Sequence, residues 1–151
     1  MDAIDYKAIV VLQASGRVSW AKLGETLGMT APAAAERVRK LEEGGVIRGY
    51  AALVDAESVG AALTVFVGVT LDRPEHRKAF LKRVGKLAEV QECHRVAGDD
   101  DYLLKMRCRG ARDLDRVISE ELKSVPGVGR TRTTIVLSTA KETPILPLST
   151  D

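Results

Sequence analysis

The stretch that decides the fold is RVSWAKLGETLGMTAPAAAERVRKLEEGGVIR, residues 17–48. Its pattern predicts two helices joined by a tight turn. The first helix covers residues 20–27 with Ser19 as its cap, and Gly28 tolerates the positive φ that ends a helix. Thr30 is a suitable cap for the second helix, because its hydroxyl can accept a hydrogen bond from a free first-turn amide.

The second helix carries a narrow apolar stripe and ends abruptly. Ala34, Val38 and Leu41 recur at i, i+4 and i+7, the spacing of one buried face, and Gly44-Gly45 ends the helix. A helix–turn–helix that inserts its second helix into the major groove of DNA needs this short turn and narrow stripe, so that one face stays free. An ordinary helical hairpin has the same spacing, and the spacing alone leaves both interpretations open.

Composition constrains the partners only weakly. The chain has 151 residues, 45% hydrophobic and 29% charged, with a net charge of +2. Residues 1–55 hold seven Lys and Arg against seven Asp and Glu, so affinity for DNA must come from local charge placement or from several copies acting together. We expect no membrane segment and no signal peptide. Two cysteines predict no disulfide framework, and a reducing cytoplasm is the expected location.

After residue 54 the pattern changes to strands alternating with helices. We predict a small hairpin or wing over 46–54, a linker over 55–63 and then the order β-α-β-β-α-β, which is ferredoxin-like. The predicted strands are 64–71, 90–97, 102–108 and 128–139, and the predicted helices are 74–87 and 111–124. The predicted fold class is α+β, with a winged helix–turn–helix domain over 1–54 and a ferredoxin-like domain over 64–151.

Apolar residues on both faces of the predicted sheet indicate self-association. In the first and last strands, Phe66 and Val136 oppose the main apolar face of their strands. Two helices cover only one face of a four-stranded sheet, so a second copy of the chain is the simplest cover for the other. A few harmless exposed apolar side chains are the ordinary alternative.

The cysteines and histidines form no pattern that favours catalysis or metal binding. Cys93 and His94 are neighbours in a predicted strand, so their side chains point to opposite faces. The sequence has no CxxC or HxxxH spacing, and neither histidine is spaced to work with a nucleophile and an orienting group. We therefore expect no catalytic residue, no metal and no cofactor. An enzyme on a ferredoxin-like fold would also leave residues 17–48 unexplained.

The acidic turn Gly98-Asp99-Asp100-Asp101 allows two interpretations. Aspartate is favoured in hairpin turns for backbone reasons alone. Carboxylates beside free turn N–H groups could also hold the ammonium and the carboxylate of an α-amino acid. The residues by themselves leave both interpretations open.

Four motifs occur together along the chain. They are Glu36-Arg37-Val38 with Leu41-Glu42, Gly45-Val46-Ile47-Arg48-Gly49-Tyr50, Val90-Gln91-Glu92-Cys93 and Gly98-Asp99-Asp100-Asp101-Tyr102. In this combination the chain resembles the Lrp/AsnC (leucine-responsive, feast/famine) family of transcriptional regulators. The resemblance implies an N-terminal helix–turn–helix, a ferredoxin-like domain that binds amino acids, and homodimers that often assemble into octamers.

The resemblance also implies where each partner would bind. The residues expected to contact double-stranded DNA are Arg17, Thr30, Ala31, Pro32, Ala35, Glu36, Arg37, Arg39 and Lys40. The residues expected at the effector site are Gly98, Asp99, Asp100, Asp101 and Tyr102. The expected function is a sequence-preferring transcriptional regulator modulated by a small molecule, with an amino acid as the expected class. An architectural protein that wraps DNA without sensing a ligand stays open as an alternative.

Overall fold

A computed structural model describes residues 1–148 of the chain. The helices are α1 (Ala3–Ala14), α2 (Trp20–Leu27), α3 (Ala31–Glu43), α4 (Arg77–Val84) and α5 (Ala111–Arg116), with a 3-10 turn at Pro74–His76 and a π-helical segment at Val117–Leu122. The strands are β1 (Leu63–Leu71), β2 (Val90–Arg95), β3 (Tyr102–Cys108) and β4 (Val128–Ile135). The chain divides into two compact units, Met1–Leu53 with the segment from Lys141, and Val54–Ala140.

The three helices of the first unit begin where a side chain can cap them. Asp2 caps α1 and forms a capping box with Asp5. Ser19 caps α2 and Thr30 caps α3, each by accepting a backbone N–H of the first turn. Gly28 ends α2 at a φ of 70°, a conformation that glycine adopts without steric cost. The predicted caps, and the predicted bounds of α2, are confirmed.

The core of the first unit forms where the apolar faces of the three helices meet. The predicted stripe Ala34, Val38 and Leu41 of α3 is buried. The buried apolar side chains that α1 and α2 add to this core are Ala8, Leu12, Leu23 and Leu27. Burial of apolar surface is therefore what holds α3 against the rest of this unit.

The segment that follows α3 differs from the prediction. Residues 46–54 form no strand, so the predicted wing is wrong. The N–H groups of Val46 and Ile47 both donate to the carbonyl oxygen of Leu41, at 2.9 and 3.1 Å. These residues complete the end of α3, and their β-forming side chains do not pair with another strand.

The C-terminal boundary also differs from the prediction. We expected residues 64–151 to form one domain, but residues 141–148 group with the first unit. The side-chain amide of Gln13 accounts for this, because its Oε1 accepts the Leu146 N–H at 2.7 Å and its Nε2 donates to the Leu146 carbonyl at 3.3 Å. Residues 149–151 of the expected domain lie outside the described residues.

The second unit is an antiparallel sheet with the order β2-β3-β1-β4. With its two helical connections this is the ferredoxin-like arrangement that the sequence predicts. Its core contains the inward side chains of β1 and β3. It also contains Phe80 of α4 and, from the π-helical segment, Val117 and Leu122. Among the described residues, no helix has the length and apolar character needed to cross a membrane.

Candidate nucleic-acid and ligand sites

The turn between α2 and α3 packs directly onto Gly24. A Cβ atom at Gly24 would lie 2.7 Å from the carbonyl oxygen of Met29 and 3.1 Å from the nitrogen of Ala31. The Met29 N–H also donates to the Gly24 carbonyl at 2.9 Å. This close approach sets the angle between the two helices, as a helix–turn–helix requires when its second helix enters a groove.

One face of α3 and its N-terminal end remain open to solvent. Thr30, Pro32 and Glu36, three of the residues predicted to approach bases, are all exposed. Ala31 and Ala35 are half-buried at the edge of the same surface. The structure thus brings the predicted base-contact residues of α3 to one side of the helix.

Arg37 occupies a different position from the other cationic residues of α3. Its side chain is only 29% exposed, and Nη1 donates to Oδ1 of Asp5 at 2.6 Å and to Oδ2 of Asp2 at 2.8 Å. Both carboxylates belong to the start of α1. The hydrogen bond from Arg37 lowers the pKa of Asp5, and the two carboxylates raise the pKa of Arg37. Arg37 therefore links α3 to α1, and a phosphate would have to compete with two carboxylates for it.

The remaining predicted phosphate contacts are exposed. Arg39 bonds to Glu36, with 2.6 Å between Nη2 and Oε1, and also contacts Glu43. The Nζ of Lys40 lies 3.8 Å from Oε1 of Glu36. Exposed pairs of this kind contribute little to stability, so a phosphate can replace the carboxylate at small cost. Arg17 is exposed and forms no ion pair within residues 1–148.

The acidic turn between β2 and β3 is fixed to the sheet through Asp101. Its Oδ2 accepts the Leu71 N–H at 2.7 Å, and its own N–H donates to the Val69 carbonyl at 2.9 Å. The carbonyl oxygen of Asp101 accepts the Val96 N–H at 3.1 Å, which closes the hairpin. Asp99 is exposed at the tip. Asp101 thus anchors the turn, while Asp99 projects from it.

Asp100 lies on the sheet face that the helices leave uncovered. It is 7% exposed, and a Cβ atom at Gly68 would clash with its Oδ2. Arg132 donates to the same oxygen at 2.5 Å, and Nη2 of Arg130 is 3.7 Å from Oδ1. The pairing of Asp100 with Arg130 and Arg132 was not predicted from the sequence, although a lone glycine inside a strand is a signal for close approach of another group. Asp100 is therefore engaged by β4.

Tyr102 is buried on the opposite, helix-covered face. It is 3% exposed, and its ring centroid lies 5.0 Å from that of Phe80. Of the five residues expected at the effector site, only Gly98 and Asp99 are therefore exposed without an anchoring role. Asp100 and Tyr102 face opposite sides of the sheet, because Asp100 still belongs to the turn and the alternation of side chains begins only with β3 at Tyr102.

These features define a protein with a helix–turn–helix for DNA and a separate ferredoxin-like unit. Two family models match the chain: the AsnC-type helix–turn–helix domain over residues 1–42 and the Lrp/AsnC ligand binding domain over residues 64–146. The chain belongs to the Lrp/AsnC family of transcriptional regulators, and the resemblance stated from the sequence is confirmed.

Curated relatives and solved structures agree with this assignment. The leucine-responsive regulatory proteins of Escherichia coli K12 and Klebsiella pneumoniae are each 40% identical over 152 residues, which cover 99% of this chain and 93% of theirs. A transcriptional regulator of Neisseria meningitidis in complex with L-methionine is 32% identical, with a TM-score of 0.92 over 97% of this chain and 96% of its own. A feast or famine regulatory protein of Mycobacterium tuberculosis complexed with L-methionine is 35% identical, with a TM-score of 0.86 over 93% and 95%. These relatives are regulators and not enzymes.

Proposed function

We propose that this regulator binds double-stranded DNA with the exposed face of α3, and that an amino acid bound at the Gly98–Tyr102 hairpin modulates its binding or assembly. The observation that carries the first part is the packing of the turn onto Gly24, which holds α3 with its N-terminal end free. Major-groove recognition by a helix–turn–helix uses that end of the second helix.

On the DNA, Thr30, Pro32 and Glu36 approach base edges, and Ala31 and Ala35 allow the helix to lie close to the bases. Alanine can contact thymine methyl groups but forms no side-chain hydrogen bond. The deformability and groove shape of the DNA therefore contribute to site preference. Arg17, Arg39 and Lys40 neutralise phosphates, a contribution that depends on salt.

For the effector, the exposed tip of the hairpin supplies the polar groups. Asp99 meets the ammonium of an α-amino acid, and turn N–H groups near Gly98 meet its carboxylate. The L-methionine complexes of two relatives support this ligand class. Asp101 contributes by holding the hairpin on β1 through the Leu71 N–H.

We also propose a homodimer formed through the uncovered sheet face, with octamers built from such dimers in the cytoplasm and no association with membranes. Phe66 and Leu103 are half-buried on that face. Burial of these side chains by a second copy would stabilise the pair. Residues 1–55 carry no net charge, so a single copy gains little affinity for DNA from its overall charge. Several linked copies that bind the same DNA would supply the missing affinity.

Selection of binding sites from random duplex DNA, with and without each of the twenty amino acids, tests the proposal. We expect enrichment of a defined set of sequences and a change in affinity with one or a few amino acids. A protein that binds DNA equally with and without every amino acid would fit the architectural alternative. Failure to bind DNA at low salt would contradict the proposal.

A further inference from the structure

A small cationic cavity lies where the ends of β1 and β2 and the start of β3 meet the beginning of α4. Its volume is about 80 Å³. Its polar lining residues are three arginines, one aspartate and one tyrosine, namely Arg73, Arg77, Arg95, Asp101 and Tyr102. All five residues belong to the second unit.

The positive charge of this cavity is not compensated by its own lining. Asp101 is the one acidic lining residue, and its Oδ2 is already engaged by a backbone N–H. Arg73 has a long contact of 3.9 Å with Glu75, and both side chains are exposed. Arg77 and Arg95 form no ion pair within residues 1–148. Guanidinium groups so placed favour an anion with several oxygen acceptors.

The phenol of Tyr102 gives an independent indication of a ligand. Tyr102 is 97% buried, and its hydroxyl has no hydrogen-bond partner among the described residues. Buried hydroxyl groups are almost always hydrogen-bonded, because an unmade bond leaves the cost of desolvation uncompensated. The oxygen is shielded from solvent, so the hydroxyl lies behind the wall of the cavity, and a shift of the ring would bring it to an anion bound there.

We propose that this cavity is a binding site for a small oxyanion, namely inorganic phosphate or the phosphate group of a metabolite. The volume suits one tetrahedral group. Three guanidinium groups and one carboxylate leave a net charge of about two positive units by formal count, which matches a dianion better than a monovalent carboxylate. The anion would connect Arg95 at the base of the hairpin to Arg77 at the start of α4. It would thereby restrain the hairpin relative to the helix.

Calorimetric titration of the full chain with inorganic phosphate, at constant ionic strength, tests this site. Arg77→Gln and Arg95→Gln should each weaken phosphate binding at least about tenfold, the usual result of losing a charged hydrogen bond. Lys78→Gln is the matched control, because it removes one positive charge from α4 at a position outside the lining. It should bind phosphate like the parent chain. Thermal unfolding of each variant checks that it is folded.

A parallel titration with acetate distinguishes a phosphate site from a general carboxylate site. We expect acetate to bind more weakly than phosphate, and tighter binding of acetate would overturn the assigned class. Undetectable phosphate binding to the parent, or equal affinity in the parent, Arg77→Gln and Arg95→Gln, would overturn the site itself. The cavity shares Asp101 and Tyr102 with the hairpin of the proposed effector site. Arg77 and Arg95 lie outside that hairpin, and the titration uses neither DNA nor an amino acid, so the two proposals can fail separately.

Tyr102→Phe examines the hydroxyl separately. The variant keeps the ring beside Phe80 and removes only the oxygen without a protein partner. Without phosphate its stability should therefore equal or exceed that of the parent. With phosphate its affinity should fall severalfold. Parent-like phosphate affinity, or a loss of stability in the absence of phosphate, would overturn the role of the hydroxyl in the site.

Discussion

Arg37 of α3 donates from Nη1 to Oδ1 of Asp5 at the start of α1, over 2.6 Å. The same nitrogen also donates to Asp2, so one guanidinium group joins α3 to two carboxylates at the start of α1. Since Asp2 and Asp5 belong to the same unit as α3, the position of α3 depends on the guanidinium group of Arg37 as well as on the apolar core. The contact changes what a substitution of Arg37 is expected to do.

Arg37→Ala should lower the melting temperature of the protein by a few degrees and weaken DNA binding through misplacement of α3. Because Arg37 is committed to Asp5, its loss should not change the slope of log affinity against log salt. Lys40→Ala is the control with an exposed cation, and it should reduce that slope by about one counterion while the melting temperature stays constant. Anisotropy titrations at several salt concentrations measure both. A reduced slope for Arg37→Ala would show that Arg37 contacts phosphate after all.

Gly24→Ala tests the packing of the turn. The added Cβ would lie 2.7 Å from the Met29 carbonyl oxygen, so the backbone of the turn must move. Overpacking of this kind typically costs about 1–3 kcal/mol, and the shifted α3 should bind DNA more weakly. Gly110→Ala is the matched control, because no atom lies within 4 Å of a Cβ built there. Urea unfolding and DNA titration of both variants would separate them, and equal behaviour would refute the packing argument.

Ala35→Glu should abolish DNA binding, because it introduces a carboxylate beside the surface that faces the phosphates and bases. Ala35→Gln is the control for size, since the two side chains differ in charge but hardly in shape. We expect the Glu variant to bind at least about tenfold more weakly than the Gln variant at low salt. Circular dichroism verifies that both are folded. Equal affinities would place the DNA surface elsewhere.

The features predicted well are those encoded by neighbouring residues. The caps Ser19 and Thr30 act within their own first turn, and the alternation in β3 needs only the two-residue period of a strand. The errors came from contacts that the periodicity of a helix or strand does not encode. The wing failed because Val46 turns back to Leu41. The ion pairs of Arg37 with Asp2 and Asp5 were not predicted, because α1 supplies both partners. Nothing in the local pattern of α3 specifies those partners.

The second unit should lose stability in acid partly through Asp113. The Arg109 N–H and the side chains of Arg109 and Arg116 donate to its carboxylate and hold its pKa at about 2, below its ordinary value of 3.8. The folded state thus binds the proton less well than the unfolded state. The ionised carboxylate of Asp113 therefore contributes roughly 2 kcal/mol to the free energy of unfolding at neutral pH. This contribution is complete above about pH 5 and is lost as the pH falls towards 2. The urea midpoints of the parent and of Asp113→Asn should therefore approach each other as the pH falls through that range. A difference between the midpoints that does not change with pH would contradict the lowered pKa of Asp113.

The hairpin tip offers the sharpest test of the effector site, because Asp99 and Asp101 have different surroundings. Asp99 is exposed at the tip, so Asp99→Ala should leave the melting temperature unchanged while weakening amino-acid binding. Removing a charged hydrogen-bond partner costs about 1.5–3 kcal/mol, or roughly one to two powers of ten in affinity.

Asp101→Ala should weaken binding and also lower the melting temperature, because it deprives the Leu71 N–H of its acceptor and releases the hairpin from β1. Calorimetry with L-methionine and L-leucine, alongside thermal unfolding, measures both effects. The intrinsic DNA contacts of α3 should persist in both variants, since they lie in the other unit. If Asp99→Ala bound the amino acid as tightly as the parent while Asp101→Ala lost binding and stability together, Asp99 would not hold the ammonium. The hairpin would then act through the shape that Asp101 maintains.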